Sequence, residues 1–385
     1  MFRFLTAGES HGKALTAIVE GLPAGLRLDE DFIAHDLKRR QGGYGRSSRQ
    51  KMEHDRAEIL SGVRQGLTMG SPITLMIWNR DWENWKVAMS VSPVEGDTRK
   101  ITRPRPGHAD LAGVTKYGFD DVRPILERAS ARETAARVAA GAVARRFLEE
   151  FGIGIHSHTL AIGGQRAKVA DPVDWEQVEK SLVRCADSTA EKVMMAAIDE
   201  AVGSGDTVGG VSEVVAFGVP VGLGSHIQWD RRLDGRIAQA MMSIQSVKGV
   251  EIGDAFKVAD EQGSQVHDGI EMGDKASYPW QRKSNRAGGI EGGISNGEQI
   301  VLRLAVKPIP TVAKPLPSVD LTTGESVQAH FERSDVCVVP AVGVIGEAML
   351  AMVLADAMLE KFGGDSMVET RRNFEGYLKS IGGSH

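Results

Sequence analysis

Two histidines lie in loops where an imidazole could do chemistry. In GESHG (8–12) a carboxylate, a hydroxyl and the imidazole of His11 stand in a row between two glycines, which let the backbone bend and a ligand approach closely. His108 lies in RPRPGHAD (103–110), a loop stiffened by two prolines. Because an imidazole exchanges a proton near neutral pH, both are candidate acid–base groups. A polar turn and a surface histidine are the structural alternatives.

Two arginine-rich segments could bind an anion. The basic loop after residue 38 carries four arginines among glycines, namely Arg39, Arg40, Arg46 and Arg49. Arginine forks match phosphate and carboxylate oxygens. The first turn of the helix predicted to begin at Ser130 holds Arg128, Ser130 and Arg132, and a helix N-terminus attracts anions. The alternatives are a solvated charged surface for the loop and an ordinary capping box with solvent-facing arginines for the helix.

Regular elements must hold these segments in place. Alternating and continuous apolar runs predict strands. The segments are FRFLTA (2–7), SPITLMIWN (71–79), VGGVSEVVAFGVPVGLG (208–224, as strand, turn and strand) and QIVLRLAVKPIP (299–310). Strands occur in neighbouring groups as well as alternating with helices, which favours an α+β fold over a doubly wound one. No linker separates two compositions, so we expect one domain over residues 1–385.

Helical spacing predicts helices at DEDFIAHDLKRRQ (29–41) and LDGRIAQAMMSIQSV (233–247). Ser130 and Glu133 have capping-box spacing, S-x-x-E, before an alanine-rich helix that reaches about residue 151. Pro340 is expected to open a last long helix that ends at about residue 362.

Three segments are predicted as mobile active-site loops. Prolines and glycines break any regular element in residues 92–110. Residues 260–297 form a polar, glycine-rich stretch, and loops of that length are usually functional or mobile. The third is the basic loop, near residues 39–56.

Composition and missing motifs exclude several classes of protein. A net charge of −5 argues against a general nucleic-acid binder, and two distant cysteines without metal spacing fit a reducing cytoplasm. The N-terminus does not resemble a signal peptide. The most apolar region (336–359) carries Glu347 and Asp356, which a membrane span would rarely tolerate together. The ten histidines show no metal-binding pattern, and neither a dinucleotide fingerprint nor a P-loop occurs.

The order of ten motifs resembles the chorismate synthase family, from residue 3 to about residue 362. The motifs are GESHG, RRQGGYGR, EILSGV, TMGSPI, RPGHAD, ERASARETAARVAAG, SVKGVEIG, AGGIEGGISNGE, KPIPT and ERSDVC. The resemblance implies conversion of 5-enolpyruvylshikimate 3-phosphate into chorismate by 1,4-anti elimination of phosphate, with reduced FMN (FMNH2) and no net redox change. It also implies a single-domain sandwich with helices between antiparallel sheets, and a homotetramer.

The resemblance also implies residue roles. His11, His108 and Asp335 are expected to be catalytic, with Asp335 helping the flavin N5 to act as a base. Substrate contacts are expected at Ser10, Arg40, Arg46, Arg105, Ser130, Arg132 and Arg333. FMN contacts are expected at Arg128, Ala129, Ser130, Gln245, Ser246, Gly292, Lys307, Pro308, Ile309, Pro310, Thr311 and Arg333. Arg40 and Arg46 could also contact NADP. Glu9 is expected to be structural.

The chain departs from the family pattern at two places. RASAR, with Ala129, stands where many members have RSSAR, so a backbone contact is kept there and a hydroxyl contact is not. The basic loop follows the subgroup with RQGGYGR. No reductase domain is appended, so we expect an external flavin reductase, with NADPH only an indirect source of reductant.

Two other classes of function remain open at this point. The first is a flavin- or NADP-dependent oxidoreductase of a phosphorylated metabolite, which would consume reductant stoichiometrically. The second is an RNA-binding protein that uses the arginine loop. Aromatic residues are only 5% of the chain, and single-strand binding usually needs aromatic stacking platforms. We expect partners to be small molecules, with neither nucleic acid nor membrane.

Overall fold

The computed structural model describes residues 1–47, 54–273, 278–314 and 316–382. The strands are β1 Arg3–Ala7, β2 Ala14–Glu20, β3 Glu58–Ile59, β4 Val63–Arg64, β5 Leu67–Thr68, β6 Ile73–Trp78, β7 Gly154–Ile162, β8 Gln165–Arg166, β9 Gly210–Phe217, β10 Val247–Ile252, β11 Ile270–Met272, β12 Trp280–Arg282, β13 Ile290–Glu291, β14 Ile294–Ser295, β15 Ile300–Val306, β16 Pro317–Val319 and β17 Ser326–Gln328.

Helices account for most of the remaining regular structure. They are α1 Glu30–Gln41, α2 Asp110–Tyr117, α3 Arg123–Ala129, α4 Thr134–Glu149, α5 Trp175–Lys180, α6 Ser188–Ser204, α7 Leu233–Met242, α8 Ala255–Val258, α9 Gly263–Val266, α10 Val339–Phe362 and α11 Met367–Ile381. Short 3-10 turns are formed by Arg80–Asn84, Ala131–Glu133 and Trp229–Arg231.

Two antiparallel sheets enclose a layer of helices. The first sheet has the order β1-β2-β6-β3 and the second has the order β10-β15-β9-β7-β8. Helix α4 packs against the first sheet and against α10, and α10 packs against the second sheet. The predicted α+β architecture, with helices between antiparallel sheets, is confirmed.

Close contact between the two central helices depends on small residues. A Cβ atom added to Gly141 of α4 would lie 2.3 Å from the Cβ of Ala348 on α10. Helix α10 is apolar on all sides and is long and apolar enough to cross a membrane, yet 89% of its most apolar window is buried inside the protein. We therefore read α10 as the core helix, in contact with both α4 and the second sheet.

The capping box predicted at Ser130 and Glu133 is wrong. Ser130 Oγ accepts a hydrogen bond from the Arg132 N–H (3.3 Å) and caps the 3-10 turn Ala131–Glu133, and α4 begins only after that turn. The Glu133 carboxylate instead accepts a hydrogen bond from the Thr6 hydroxyl on β1 (2.7 Å). A contact with a distant strand has replaced the local one that the spacing suggested.

Two predicted elements end earlier than expected, and a residue with positive φ follows each of them. The helix expected over 233–247 ends at Met242, and Ser246, with a φ of 71°, precedes β10. The strand, turn and strand expected over 208–224 give only β9, after which Gly218 has a φ of 72°. No second strand forms there within the described residues.

Two further expectations need correction. The helix opened by Pro340 is not the last, because α11 follows it and begins at a capping box formed by Ser366 and Glu369. The stretch 260–297 is not without structure: α9, the hairpin β11–β12 and the hairpin β13–β14 lie in its described part. Residues 48–53, with Arg49, and residues 274–277 lie outside the described residues.

Candidate active site

The GESHG turn joins β1 to β2 and points His11 at a buried carboxylate. Glu127 of α3 accepts hydrogen bonds from the His11 backbone N–H (2.7 Å) and pairs with the ring nitrogen Nδ1 (2.8 Å). The Glu127 side chain is fully buried, and the His11 ring stacks on Trp85 with centroids 3.8 Å apart. The turn needs Gly8, whose φ is 104°, because a Cβ there would lie 2.4 Å from the Ala14 carbonyl oxygen. His11 therefore has a fixed position.

Asn79, at the end of β6, connects this turn to the arginines. Its amide nitrogen donates to the carbonyl of Gly12 (2.7 Å), and its amide oxygen accepts from Arg132 Nε (3.0 Å) and Nη2 (2.9 Å). On the other side of the turn, the hydroxyl of Ser130 donates to that of Ser10 (3.1 Å). The structure thus brings together His11, Ser10, Ser130 and Arg132.

Two buried arginines share one buried carboxylate. Asp55 accepts hydrogen bonds from Arg40 (2.7 Å) and from Arg132 (2.7 Å to each oxygen). Burial lowers the pKa of Arg40 to about 10 despite the raising effect of Asp55, and the charges of Arg132 and Arg46 add to the lowering. Burial raises the pKa of Asp55, but the two guanidinium charges outweigh it, so that this pKa lies below its ordinary value. This triad is permanently charged at neutral pH.

Arg46 and Asp335 lie beside the triad. Arg46 Nε lies 3.4 Å from one Asp335 carboxylate oxygen, and the Ser47 backbone N–H donates to the other (2.6 Å). The basic loop and the ERSDV segment, nearly 300 positions apart, therefore meet here. Arg333 of the same segment is exposed and makes no hydrogen bond or ion pair within the described part of the chain.

His108 is backed by a buried carboxylate in the same way as His11. Its Nδ1 forms a short hydrogen bond with Asp110, which is fully buried at the start of α2. Arg105 donates to Asp110 (2.8 Å) and to the Thr311 hydroxyl (2.9 Å), and its Nη2 lies 3.0 Å from His108 Nδ1. Burial raises the Asp110 pKa, but the hydrogen bonds from His108 and Arg105 outweigh it and hold that pKa far below its usual range.

The KPIPT turn after β15 packs against the His108 loop. Lys307 Nζ donates to the Gly107 carbonyl (2.6 Å), and the Lys307 backbone N–H donates to the carbonyl of Ser246 (2.9 Å). Next to Ser246, the amide nitrogen of Gln245 donates to Glu133 (3.3 Å), while its amide oxygen is buried without a partner among the described residues. Five expected FMN contacts, Lys307 to Thr311, thus adjoin the His108 loop.

Other expected contacts have local roles or lie apart. Arg128 falls in the last turn of α3, not in the first turn of α4, and its guanidinium donates to the carbonyls of Gly8 (3.1 Å) and Thr6 (3.0 Å). Ala129 ends the same helix. Gly292 lies in the turn between β13 and β14 and has a φ of 57°.

Contacts through α3 connect the two histidine loops. Arg123 donates to Glu127 (3.3 Å) and to Glu332 (2.8 Å). Two residues before Glu332, the backbone N–H of His330 donates to the carbonyl of Arg103 (3.3 Å), in the loop that leads to His108. The cluster can therefore bind an anion at its arginines and exchange protons at two oriented imidazoles. Among the described residues, no group of side chains could hold a metal ion.

Sequence reasoning missed the partners of these side chains. Asp55, Asn79, Trp85 and Glu127 were not singled out. Their pairing depends on long-range folding, so no local spacing announces it. Asp110 had a local signal, because it follows His108 by two positions in GHAD.

Known proteins resemble this chain over its whole length. The family model described as chorismate synthase matches residues 2–359. Chorismate synthase of Desulforudis audaxviator is 59% identical, with 99% of this chain and 98% of the relative covered, and that of Geobacter sulfurreducens is 56% identical, with 99% of each covered. A solved structure titled "Crystal Structure of Chorismate Synthase" has a TM-score of 0.80 and 48% identity, with 99% of this chain and 98% of that chain covered. These matches confirm the resemblance found in the motifs: the chain belongs to the chorismate synthase family, whose members are lyases of aromatic amino acid biosynthesis.

Proposed function

We propose that this chain eliminates phosphate from 5-enolpyruvylshikimate 3-phosphate at the cluster of His11, His108 and the buried arginines, and so forms chorismate. The observation that supports this site is the triad of Arg40, Asp55 and Arg132. Two guanidiniums share one carboxylate, so the triad has a net charge of +1 in a buried position, and Asn79 connects its Arg132 to the turn that carries His11. A substrate with a phosphate and two carboxylates fits such a site.

The substrate contacts proposed are the triad arginines, Arg46 and Arg105, with the hydroxyls of Ser10 and Ser130 as neutral donors. Arg333 would join them from an exposed position. The side chain of Arg40 is only 3% exposed, which favours contact with a small anion over contact with NADP. An unused donor also indicates that a ligand binds here: Nε of Arg40 is buried without a hydrogen-bond partner among the described residues.

The residues present fit a flavin. The buried amide oxygen of Gln245 is an unused acceptor, and a ring or ribityl group of FMN offers N–H and O–H donors. The holding residues proposed are Arg128, Ala129, Ser130, Gln245, Ser246, Gly292, Arg333 and Lys307 to Thr311. When bound, reduced FMN supplies electron density for C–O cleavage and a base for the C–H proton. Asp335, fixed by Arg46 and Ser47, would assist that base as a carboxylate.

The histidines would handle charge at the leaving phosphate. The His108 Nδ1 is bonded to Asp110, and its Nε2 lies 3.4 Å from Arg105 Nη2; we assign the ring the protonation of phosphate as the C–O bond breaks. His11 would donate a hydrogen bond to developing negative charge. Each side chain is held by a buried carboxylate, which supports a role that needs a fixed geometry.

The assembly and setting are proposed from the family. Residues 1–385 would act as one catalytic domain in a cytoplasmic homotetramer. An external flavin reductase would keep FMN reduced. Light scattering at micromolar concentration should give about four chain masses. A fully active monomer would contradict this assembly.

Anaerobic turnover tests the proposed function. The chain is mixed with 5-enolpyruvylshikimate 3-phosphate and photoreduced FMN, and chorismate and reduced flavin are both followed. We expect many chorismate molecules for each flavin, with the flavin still reduced at the end. Stoichiometric loss of reductant would favour the oxidoreductase. No product, together with salt-sensitive retention of RNA, would favour the RNA-binding alternative.

A further inference from the structure

Glu127 has no chemistry of its own in the proposed reaction, yet its fully buried side chain pairs with His11. Its two carboxylate oxygens are used separately. Oε2 accepts from the His11 backbone N–H (2.7 Å), and Oε1 pairs with the ring nitrogen Nδ1 (2.8 Å). A carboxylate only accepts hydrogen bonds when ionised, so Nδ1 must carry the proton in this pairing.

Neighbouring side chains keep this pair in place. Trp85 stacks on the His11 ring with an interplanar angle of 23°, and the Arg123 guanidinium lies 3.3 Å from Glu127 Oε1 and 5.0 Å from the Trp85 ring. Arg123 balances the buried carboxylate charge, and the stacked ring limits rotation of the imidazole. The ring plane and its tautomer are therefore fixed from two sides.

We infer that Glu127 is a positioning residue for His11: it holds the imidazole with Nδ1 protonated, so that Nε2, which faces away from Glu127, is the nitrogen offered to the substrate. This inference rests on the proposed function, because His11 must act in the reaction for its orientation to matter. It differs from a purely structural role, which would need the backbone contact alone.

The substitution Glu127→Gln distinguishes the positioning role of Glu127 from a purely structural one. The backbone N–H and Nδ1–H of His11 face different oxygens of Glu127, and glutamine replaces one of them with an NH2 group that cannot accept. The charge is lost as well, so the charged hydrogen bond to the ring is lost or weakened. In proton NMR of protein labelled with 15N-histidine, the His11 Nδ1–H resonance, identified by its absence in His11→Ala, should be far downfield in the wild type. It should move upfield or disappear in Glu127→Gln. In turnover, kcat should fall towards that of His11→Ala, by roughly 10²–10⁴-fold, while KM changes little.

Two controls make the result specific. Glu213→Gln removes the carboxylate of a partly buried pair, His158 Nε2 to Glu213 Oε1 (2.9 Å), within the second sheet, and it should leave kcat unchanged. Glu127→Asp keeps the charge and should retain more activity than Glu127→Gln. In the double variant with His11→Ala, Glu127→Gln should add no further loss.

Defined outcomes would overturn the inference. One is an unchanged Nδ1–H resonance in Glu127→Gln; another is a changed resonance with wild-type kcat. Equal losses of kcat in Glu127→Gln and Glu213→Gln would also overturn it, since general destabilisation would then explain both. If His11→Ala keeps full turnover, the proposed role of His11 fails instead, and the NMR result for the ligand-free protein still reports the pairing by itself.

Discussion

Asp55→Asn should destabilise the protein strongly because it breaks the triad. Asp55 accepts three charge-assisted hydrogen bonds of 2.7 Å, one from Arg40 and two from Arg132, and its side chain is fully buried. Asparagine keeps the shape but raises the net charge of the site from +1 to +2. Removing one partner of a buried ion pair costs about 3–5 kcal/mol. That is a large part of a typical unfolding free energy of about 5–15 kcal/mol.

Urea unfolding at one fixed protein concentration measures the effect. The matched control is Asp31→Asn, since Asp31 also pairs with an arginine, Arg56, but both side chains are exposed. Its cost should stay below about 1 kcal/mol. Inorganic phosphate should stabilise Asp55→Asn more than the wild type, because an anion can replace the missing charge. Equal costs for the two variants, or no added effect of phosphate, would refute a preassembled anion site.

Three more outcomes follow from the same contacts. Arg46→Ala should weaken substrate binding by roughly 1.5–3 kcal/mol in calorimetry with the fold intact, and unchanged affinity would remove it from the site. Asp335→Asn should slow the C–H step, so a deuterium there should give a larger isotope effect than in wild type; a lower turnover with an equal isotope effect would count against it. Burial raises the pKa of Glu332, but the His330 hydrogen bond and the Arg123 charge lower it from 4.5 to about 2. This carboxylate therefore stabilises the fold fully above about pH 4.5 and loses that contribution as pH falls towards 2, and Glu332→Gln should flatten acid unfolding curves between those values.

Local pattern predicted much of the fold. Alternation in ITLMIW and IVLRLAV matches strands β6 and β15, whose inward residues are buried, and the helical spacing after Asp29 matches α1. In these elements the buried residues recur with the period of the strand or helix, so the pattern is visible in the sequence. Ser130 and Glu133 do not form the capping box that their spacing predicts, because Thr6 on the distant strand β1 supplies the partner of Glu133.

The candidate site was predicted only through its charged members. Arginines and histidines stand out in glycine-rich loops, and the family motifs order them along the chain. Their carboxylate partners do not stand out. Asp55 lies near the end of the basic loop without a pattern, and Glu127 lies in a helix where an acidic residue is common. Asp55 meets its two arginines, and Glu127 meets His11, only when the chain is folded. The roles of these two carboxylates are therefore visible in the structure and not in the sequence.

The most direct measurement is a crystal structure of this chain with 5-enolpyruvylshikimate 3-phosphate and FMN bound. We predict that the anionic groups of the substrate contact Arg40, Arg46 and Arg132, and that His11 and His108 lie within hydrogen-bond reach of the phosphate. We also predict that the flavin contacts the KPIPT turn. If the substrate is bound elsewhere and the three arginines are still paired only to Asp55 and Asp335, the proposed substrate site is wrong.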